Sequence, residues 1–295
     1  MNMGVANTKS NVKIDKRCES CFLKTYQRLF EKYNLGVVKQ KEFIAFYQET
    51  IKKNNHLSSP EIQQLLHQKL NALSGIDDFY SNEKKESNFM AFWLYSDWKK
   101  KVQESKFSFN LALKLALAGN IMDYGVSDSF NLERNIERVL IAEFAIDKSV
   151  ELRDRINNAR SILYLGDNAG EIVFDKLFIE TINHHNLVYV VRGGAVLNDA
   201  TMEDAVSVGM DKLVKVISNG FDAPSTIVHK SSLEFQQYFN EADLIISKGQ
   251  GNFEGLLPLN DNRIFFLLMA KCDVIANMLS VPKESFVVCN SISAN

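Results

Sequence analysis

The stretch Gly166-Asp167-Asn168-Ala169-Gly170-Glu171 constrains this chain more than any other, because the hydrophobic period changes across it. Ser161-Ile162-Leu163-Tyr164-Leu165 before it is a short apolar run of strand type, and residues 172–180 after it carry apolar side chains at helical spacing. Strand, polar turn and helix in succession place functional groups at the carboxyl end of a sheet. The turn lacks the G-x-G-x-x-G of dinucleotide sites and the Gly-Lys-Ser/Thr of a P-loop. It offers Asp167, Asn168 and Glu171 beside a helix N-terminus. Oxygen ligands of this kind suit a hard divalent cation such as Mg²⁺ or Mn²⁺. The N–H groups of a helix start, here around Ala169 and Gly170, suit a phosphate.

Further strand-type runs recur at 187–191, 213–217, 243–247 and 264–269, separated by helical or turn segments. That alternation predicts a mostly parallel sheet with flanking helices. Residues from about 15 to 155 read differently, with long helical patterns and little strand signal. The expected fold class is α/β, with a helical region over 1–155 packed on an α/β domain over 156–295. Ser59-Pro60-Glu61 opens one of the early helices, with Ser59 as its cap and Pro60 in the first turn. The aromatic stripe of Phe89, Phe92, Trp93 and Tyr95 reads as core packing.

Of the 295 residues, 46% are hydrophobic and 24% charged, which is ordinary for a globular protein. A net charge of -2 leaves no electrostatic footprint for nucleic acid or anionic lipid. No apolar run is long enough to cross a bilayer, and the polar N-terminus lacks the apolar core of a signal peptide. The four cysteines do not make a disulfide scaffold. The cytoplasm is the default address.

Two later segments gain meaning from the first turn. Asn198 and Asp199 follow the second strand, and by themselves they read as caps of a helix starting near Thr201. Polar groups at successive strand ends converge in a doubly wound sheet, so Asp199 joins Asp167 and Asn168 as a candidate ligand of one cation. Lys248-Gly249-Gln250-Gly251-Asn252-Phe253-Glu254 follows a later strand. A lysine and a glycine-bearing turn place an ammonium and backbone N–H groups around a phosphate, with Asn252 and Glu254 orienting it. A mobile loop with a solvated lysine fits the same letters. Gly119 and Gly125 bracket a break in a helical run that contains Asn120 and Asp123. Cys18-Glu19-Ser20-Cys21 is half of a zinc pattern without a second half, and it reads as two thiols one helical turn apart. The five histidines fall outside these motifs, which speaks against a Ser-His-Asp triad or a histidine-rich zinc hydrolase.

Together the Cys18–Cys21 pair, Gly119-Asn120-Ile121-Met122-Asp123, Asp167-Asn168-Ala169-Gly170-Glu171, Asn198-Asp199-Ala200-Thr201 with Asp204, and Lys248 to Glu254 resemble the DUF89 family. These are metal-dependent damage-control phosphatases, and the form of the motifs resembles the stand-alone prokaryotic-type branch. The resemblance covers nearly the whole chain, in order. It implies a helical N-terminal region and a Rossmann-like C-terminal domain. It implies a divalent cation (Mn²⁺, Mg²⁺, Co²⁺ or Ni²⁺) on Asp167, Asn168 and Asp199, phosphate contact from Lys248, and Asn120 and Asp123 near the site. Members hydrolyse phosphate esters of small metabolites. One departure is Gly251, where alanine or another small residue is expected in the branch, and it should alter the loop's flexibility more than its chemistry.

The expected function is hydrolysis of a small phosphorylated metabolite. Lys248 and the N–H groups around Ala169 and Gly170 hold developing charge, with Gly249, Asn252 and Glu254 beside them. Water, or an aspartate forming a phospho-enzyme, attacks. Glu171 or Asp204 takes the proton or orients the water. Two other classes fit the same scaffold. One is an S-adenosylmethionine-dependent carboxyl methyltransferase, which the glycine-poor first turn disfavours. The other is a non-catalytic metabolite or metal sensor.

Overall fold

The computed structural model describes residues 15–54, 56–119 and 132–290. Contacts divide the chain into two compact units, 1–76 and 77–295. The helices between 81 and 118 thus belong with the sheet. The helical region expected over 1–155 spans the first unit and the opening helices of the second.

The first unit contains helices α1 (Lys16–Lys32), α2 (Val37–Lys53) and α3 (Ser59–Ser74). Asp15 caps α1 by accepting the Arg17 N–H at 2.8 Å. The cap of α3 is Ser58, one residue before the expected Ser59, because Glu61 reaches back to the Ser58 N–H at 2.9 Å in a capping box. Phe43 is fully buried, with the rings of Tyr26 and Phe30 centred 4.9 and 5.2 Å away. Cys18 and Cys21 lie one turn apart on α1, the first partly buried and the second exposed.

The second unit opens with α4 (Ser81–Glu104), α5 (Ser108–Ala118) and α6 (Leu132–Ile141). A two-residue strand β1 (Ile146–Asp147), α7 (Ser149–Asn158) and β2 (Ile162–Leu165) follow. Then come α8 (Glu171–Ile182), β3 (Leu187–Val191), α9 (Met202–Ser207), β4 (Lys215–Ser218) and α10 (Leu233–Glu241). β5 (Leu244–Lys248), α11 (Gly249–Leu256), β6 (Ile264–Met269), α12 (Asp273–Leu279) and β7 (Phe286–Asn290) complete it. The seven strands lie in the order β1-β7-β6-β5-β2-β3-β4, parallel except between β6 and β7. The fold is α/β with a mostly parallel sheet. The apolar run Phe286-Val287-Val288-Cys289 carried the signal of the last strand, and the pattern reading passed over it.

Side chains alternate across β2, so Ile162 and Tyr164 face one layer while Leu163 and Leu165 face the other. The first layer is built from α4, α5, α7 and α8 around Phe174 and Phe178. The second is built from α10, α11 and α12 around Phe235, Phe253 and Ile275. Both faces are covered, which is why the central strands read as continuous apolar runs. On α4, Ala91, Leu94 and Tyr95 take the buried side. Phe89 and Trp93 remain 74% and 73% exposed, contrary to the core reading of that stripe, because one helix buries only one face. Among the described residues no helix is long and apolar enough to cross a membrane.

Candidate functional site

β2 runs to β3 and β4 on one side, while its other neighbour is β5. The chain direction across the sheet reverses between β2 and β5. In open α/β sheets that reversal leaves a crevice beyond the carboxyl ends of the two strands. Asp167 follows β2 there, and Gly249 follows β5. The approach is close: a Cβ on Gly249 would stand 1.8 Å from Asp167 Oδ2. Gly249 also has φ +78°, a left-handed conformation that glycine adopts without strain. Gly249→Ala is therefore expected to displace the Asp167 carboxylate and weaken Mn²⁺ binding at least about 10-fold, as isothermal titration calorimetry would show. Unchanged affinity would separate Gly249 from the site.

Asp199 reaches the same place through the main chain. Asn168 and Asp199 form an isolated antiparallel bridge. Around it the Ala169 N–H donates to Asn198 O at 2.9 Å, and the Ala200 N–H donates to Asp167 O at 2.8 Å. Two turns separated by 30 residues in sequence are thereby zipped together. Asp167, Asn168 and Asp199 are all buried. Asn168 Nδ2 donates to Asp167 Oδ2 at 3.0 Å and to Glu171 Oε2 at 3.4 Å, so the atom it offers a cation is Oδ1. Two carboxylates and an amide oxygen form a hard donor set that fits a divalent metal.

Arg192, at the end of β3, was not singled out by the sequence reading. It is buried, and its Nε donates to Asp199 Oδ2 at 2.5 Å while an Nη lies 3.5 Å from Asp167 Oδ1. The other Nη donates to Asn252 Oδ1 at 2.9 Å and to Thr226 Oγ1 at 3.2 Å. Asn252 in turn donates to the carbonyls of Gly166 and Lys248 at 3.0 and 2.9 Å. Arg192 thus orients both aspartates from one planar group.

Lys248 is not a solvated loop residue. It is fully buried, and Gly249 opens helix α11 directly after it. Its ammonium donates to Ala116 O at 2.9 Å, to Asp175 Oδ1 at 2.5 Å and to Glu171 Oε1. Those three acceptors match the three N–H bonds of an ammonium. Asp175 also accepts from the Tyr164 and Tyr189 hydroxyls at 2.8 and 3.0 Å. Burial alone would lower the Lys248 pKa, but Asp175 and Glu171 outweigh it and leave it raised. Burial raises the Glu171 pKa against the opposing effect of Lys248, and the nearby Asp175 and Asp167 carboxylates add to the rise. Tyr164 and Tyr189 are pushed well above the usual phenol range, by burial first and by Asp175 next.

Several expected donors have other work in this fold. The Ala169 N–H serves the zipper, and the Gly170 N–H donates to Asn88 Oδ1 at 2.6 Å. Neither is left to face a phosphate, because each turn had to satisfy its own buried backbone. Asp204 closes a capping box on α9, accepting from the Thr201 N–H at 2.9 Å. It also accepts from Asn88 Nδ2 at 2.9 Å and pairs with Lys84 at 3.2 Å. Asn88 therefore links α4 to both the first turn and α9, a role that a residue inside an aromatic stripe did not announce. Glu254 is half-buried on α11, and desolvation lifts its pKa to about 7 against a hydrogen bond from Gln250. Gly251 lies within α11 rather than in a flexible loop. A Cβ there would stand 2.2 Å from the Pro224 carbonyl oxygen, so close packing explains its glycine. Asn120 and Asp123 lie outside the described residues.

An acidic turn, a buried arginine and a helix start at the reversal point define a doubly wound α/β protein with a polar crevice at the carboxyl ends of its central strands. The chain belongs to the damage-control phosphatase ARMT1-like domain family, whose model matches residues 14–287. A damage-control phosphatase of Pyrococcus horikoshii is 38% identical over 94% of this chain and 97% of its own. A damage-control phosphatase of Archaeoglobus fulgidus is 30% identical over 92% of this chain and 96% of its own. The crystal structure of a DUF89 family protein from Pyrococcus horikoshii superposes with a TM-score of 0.86 at 35% identity, over 95% of this chain and 99% of that one.

Proposed function

We propose that this chain is a divalent-cation-dependent phosphatase acting on phosphate esters of small metabolites, including damaged metabolites and sugar phosphates. The observation that carries the reading is the convergence of Asp167, Asn168 and Asp199 on the switch point, above the buried Lys248 ion pairs. Membership of the family and the names of the relatives support it.

In this reading Asp167, Asn168 and Asp199 hold the cation, with Mn²⁺, Mg²⁺, Co²⁺ and Ni²⁺ as the candidates. When bound, such a cation neutralises phosphoryl oxygens and acidifies water. Arg192 keeps both aspartates turned into the crevice and prevents their mutual repulsion from spreading them. Glu171, whose Oε2 accepts from Asn168 at 3.4 Å, orients water or accepts its proton in this reading. Asp204 acts at a distance, through Asn88 and the Gly170 N–H, as a positioning residue. Lys248 supplies the positive charge beneath the site and holds Glu171 in place, while Gly249, Asn252 and Glu254 on α11 form the wall beside the phosphate. Asn120 and Asp123 enter the reading through the family resemblance alone, as substrate-binding residues.

The test is phosphate release from p-nitrophenyl phosphate and a panel of sugar phosphates by metal-stripped protein, with each of the four cations added back. Activity restored by cation is the expected result. Folded protein that binds metal and releases no phosphate from any substrate would overturn the reading. Calorimetric binding of S-adenosylmethionine would then favour the carboxyl methyltransferase.

A further inference from the structure

Asn198 precedes Asp199 and is itself buried. Its main chain is committed, since its carbonyl accepts the Ala169 N–H at 2.9 Å. The turn that carries it is closed by the Asp199 N–H on Val196 O at 3.1 Å, with Leu197 at φ +46°. A leucine in the left-handed region is strained, so the fold meets a cost to present residues 198 and 199 together. Asp199 then points its carboxylate at Arg192. Asn198 is 8% exposed, and among the described residues its Nδ2 has no hydrogen-bond partner. A buried amide donor without a partner costs free energy of the order of a lost hydrogen bond, and native folds rarely tolerate it without a use.

We infer that Asn198 is a substrate-binding residue whose Nδ2 donates to a phosphoryl oxygen of the phosphate ester. The residue that carries the orphaned donor precedes Asp199, and its main chain is bonded to the Asp167–Glu171 turn, where a phosphate lies if those residues hold its counter-cation. A neutral donor suits this position. It adds no positive charge to repel the cation, and unlike a carboxylate it does not repel the anion. The inference rests on the phosphatase reading for the identity of the ligand, and it adds the group that recognises the phosphate directly.

The experiment compares wild type with Asn198→Ala and Asn198→Asp by calorimetry, first with Mn²⁺ alone and then with inorganic phosphate added to the Mn²⁺-loaded protein. Melting temperatures without ligand are recorded alongside. The Mn²⁺ Kd of Asn198→Ala should stay within about two-fold of wild type, because the amide is not a ligand. Its phosphate affinity should fall about 10-fold or more, the loss expected for a hydrogen bond to a charged group. Asn198→Asp should weaken phosphate further. The ligand-free melting temperature of Asn198→Ala should be no lower than that of wild type, since no hydrogen bond is lost. Phosphate affinity in Asn198→Ala equal to wild type would overturn the inference and leave the phosphatase reading intact. A marked drop in ligand-free melting temperature would also overturn it, by showing that the amide serves the fold. Wild-type protein that binds Mn²⁺ but no phosphate would overturn the inference and the phosphatase reading together. Protein that binds phosphate through Asn198 yet hydrolyses no ester would sink only the latter.

Discussion

Asp167→Ala is expected to reduce cation-dependent phosphate release by about 10³-fold or more, with a melting temperature close to wild type. The carboxylate touches the site from three sides: Arg192, Asn168 and the backbone of Gly249. Its structural contribution is small by comparison. The link that joins the two turns uses the Asp167 carbonyl and not its side chain, so alanine preserves it. Arg192 retains Asp199 at 2.5 Å, and no buried cation is left without a carboxylate. Activity should therefore collapse while the fold survives. Phosphate release with saturating Mn²⁺, measured beside a thermal melt, tests both halves. Wild-type turnover in the variant would end the assignment of Asp167 as a ligand.

Lys248→Met is expected to do the reverse, damaging stability first. The methionine fills most of the space of the lysine stem but leaves Glu171 and Asp175 fully buried with no ammonium between them. Removing one partner of a buried ion pair costs about 3–5 kcal/mol. In a domain this size that corresponds to a fall in melting temperature of roughly 10 °C. The pH dependence carries a sign. Burial already raises the Glu171 pKa, and without the Lys248 ammonium opposing that rise its folded-state value moves further above the unfolded one. A carboxyl whose folded pKa is raised is least costly at low pH and most costly above that raised pKa. The deficit relative to wild type should therefore be smallest below the raised Glu171 pKa of about 8 and grow as the pH is taken above it. Melts of both proteins on either side of that pH would show it. A deficit independent of pH would mean that packing, not charge, is what Lys248 provides.

These two residues also mark how far the sequence could be read. Asp167 was legible because the hydrophobic period changes on either side of it, which places it at a strand end whatever the remaining topology. The order of the five motifs identified the family and hence the expected sheet. The burial of Lys248 was not legible. Its partners lie 73, 77 and 132 residues away in sequence, and a Lys-Gly-x-Gly stretch reads equally well as a solvated loop. Asp175 was invisible for a similar reason. An aspartate inside a helix reads as surface until two tyrosines from adjacent strands are found pointing at it. Arg192 and Asn88 were missed because an arginine after a strand and an asparagine before an aromatic run are ordinary letters. Their roles come from partners on other elements.

What the sequence determined by itself was local: the strand–turn–helix units, the acidic turn, and a hydrophobic pattern that demands a sheet covered on both faces. Periodicity is a property of neighbouring residues, so no tertiary information is needed to read it. What only the tertiary structure decided was which polar groups are already committed. It committed the Ala169 and Gly170 N–H groups and Asp204 to the fold, buried Lys248 between two carboxylates, and left the Asn198 amide without a partner. Those outcomes depend on desolvation and on hydrogen-bond partners drawn from distant segments, and both exist only once the chain has closed on itself.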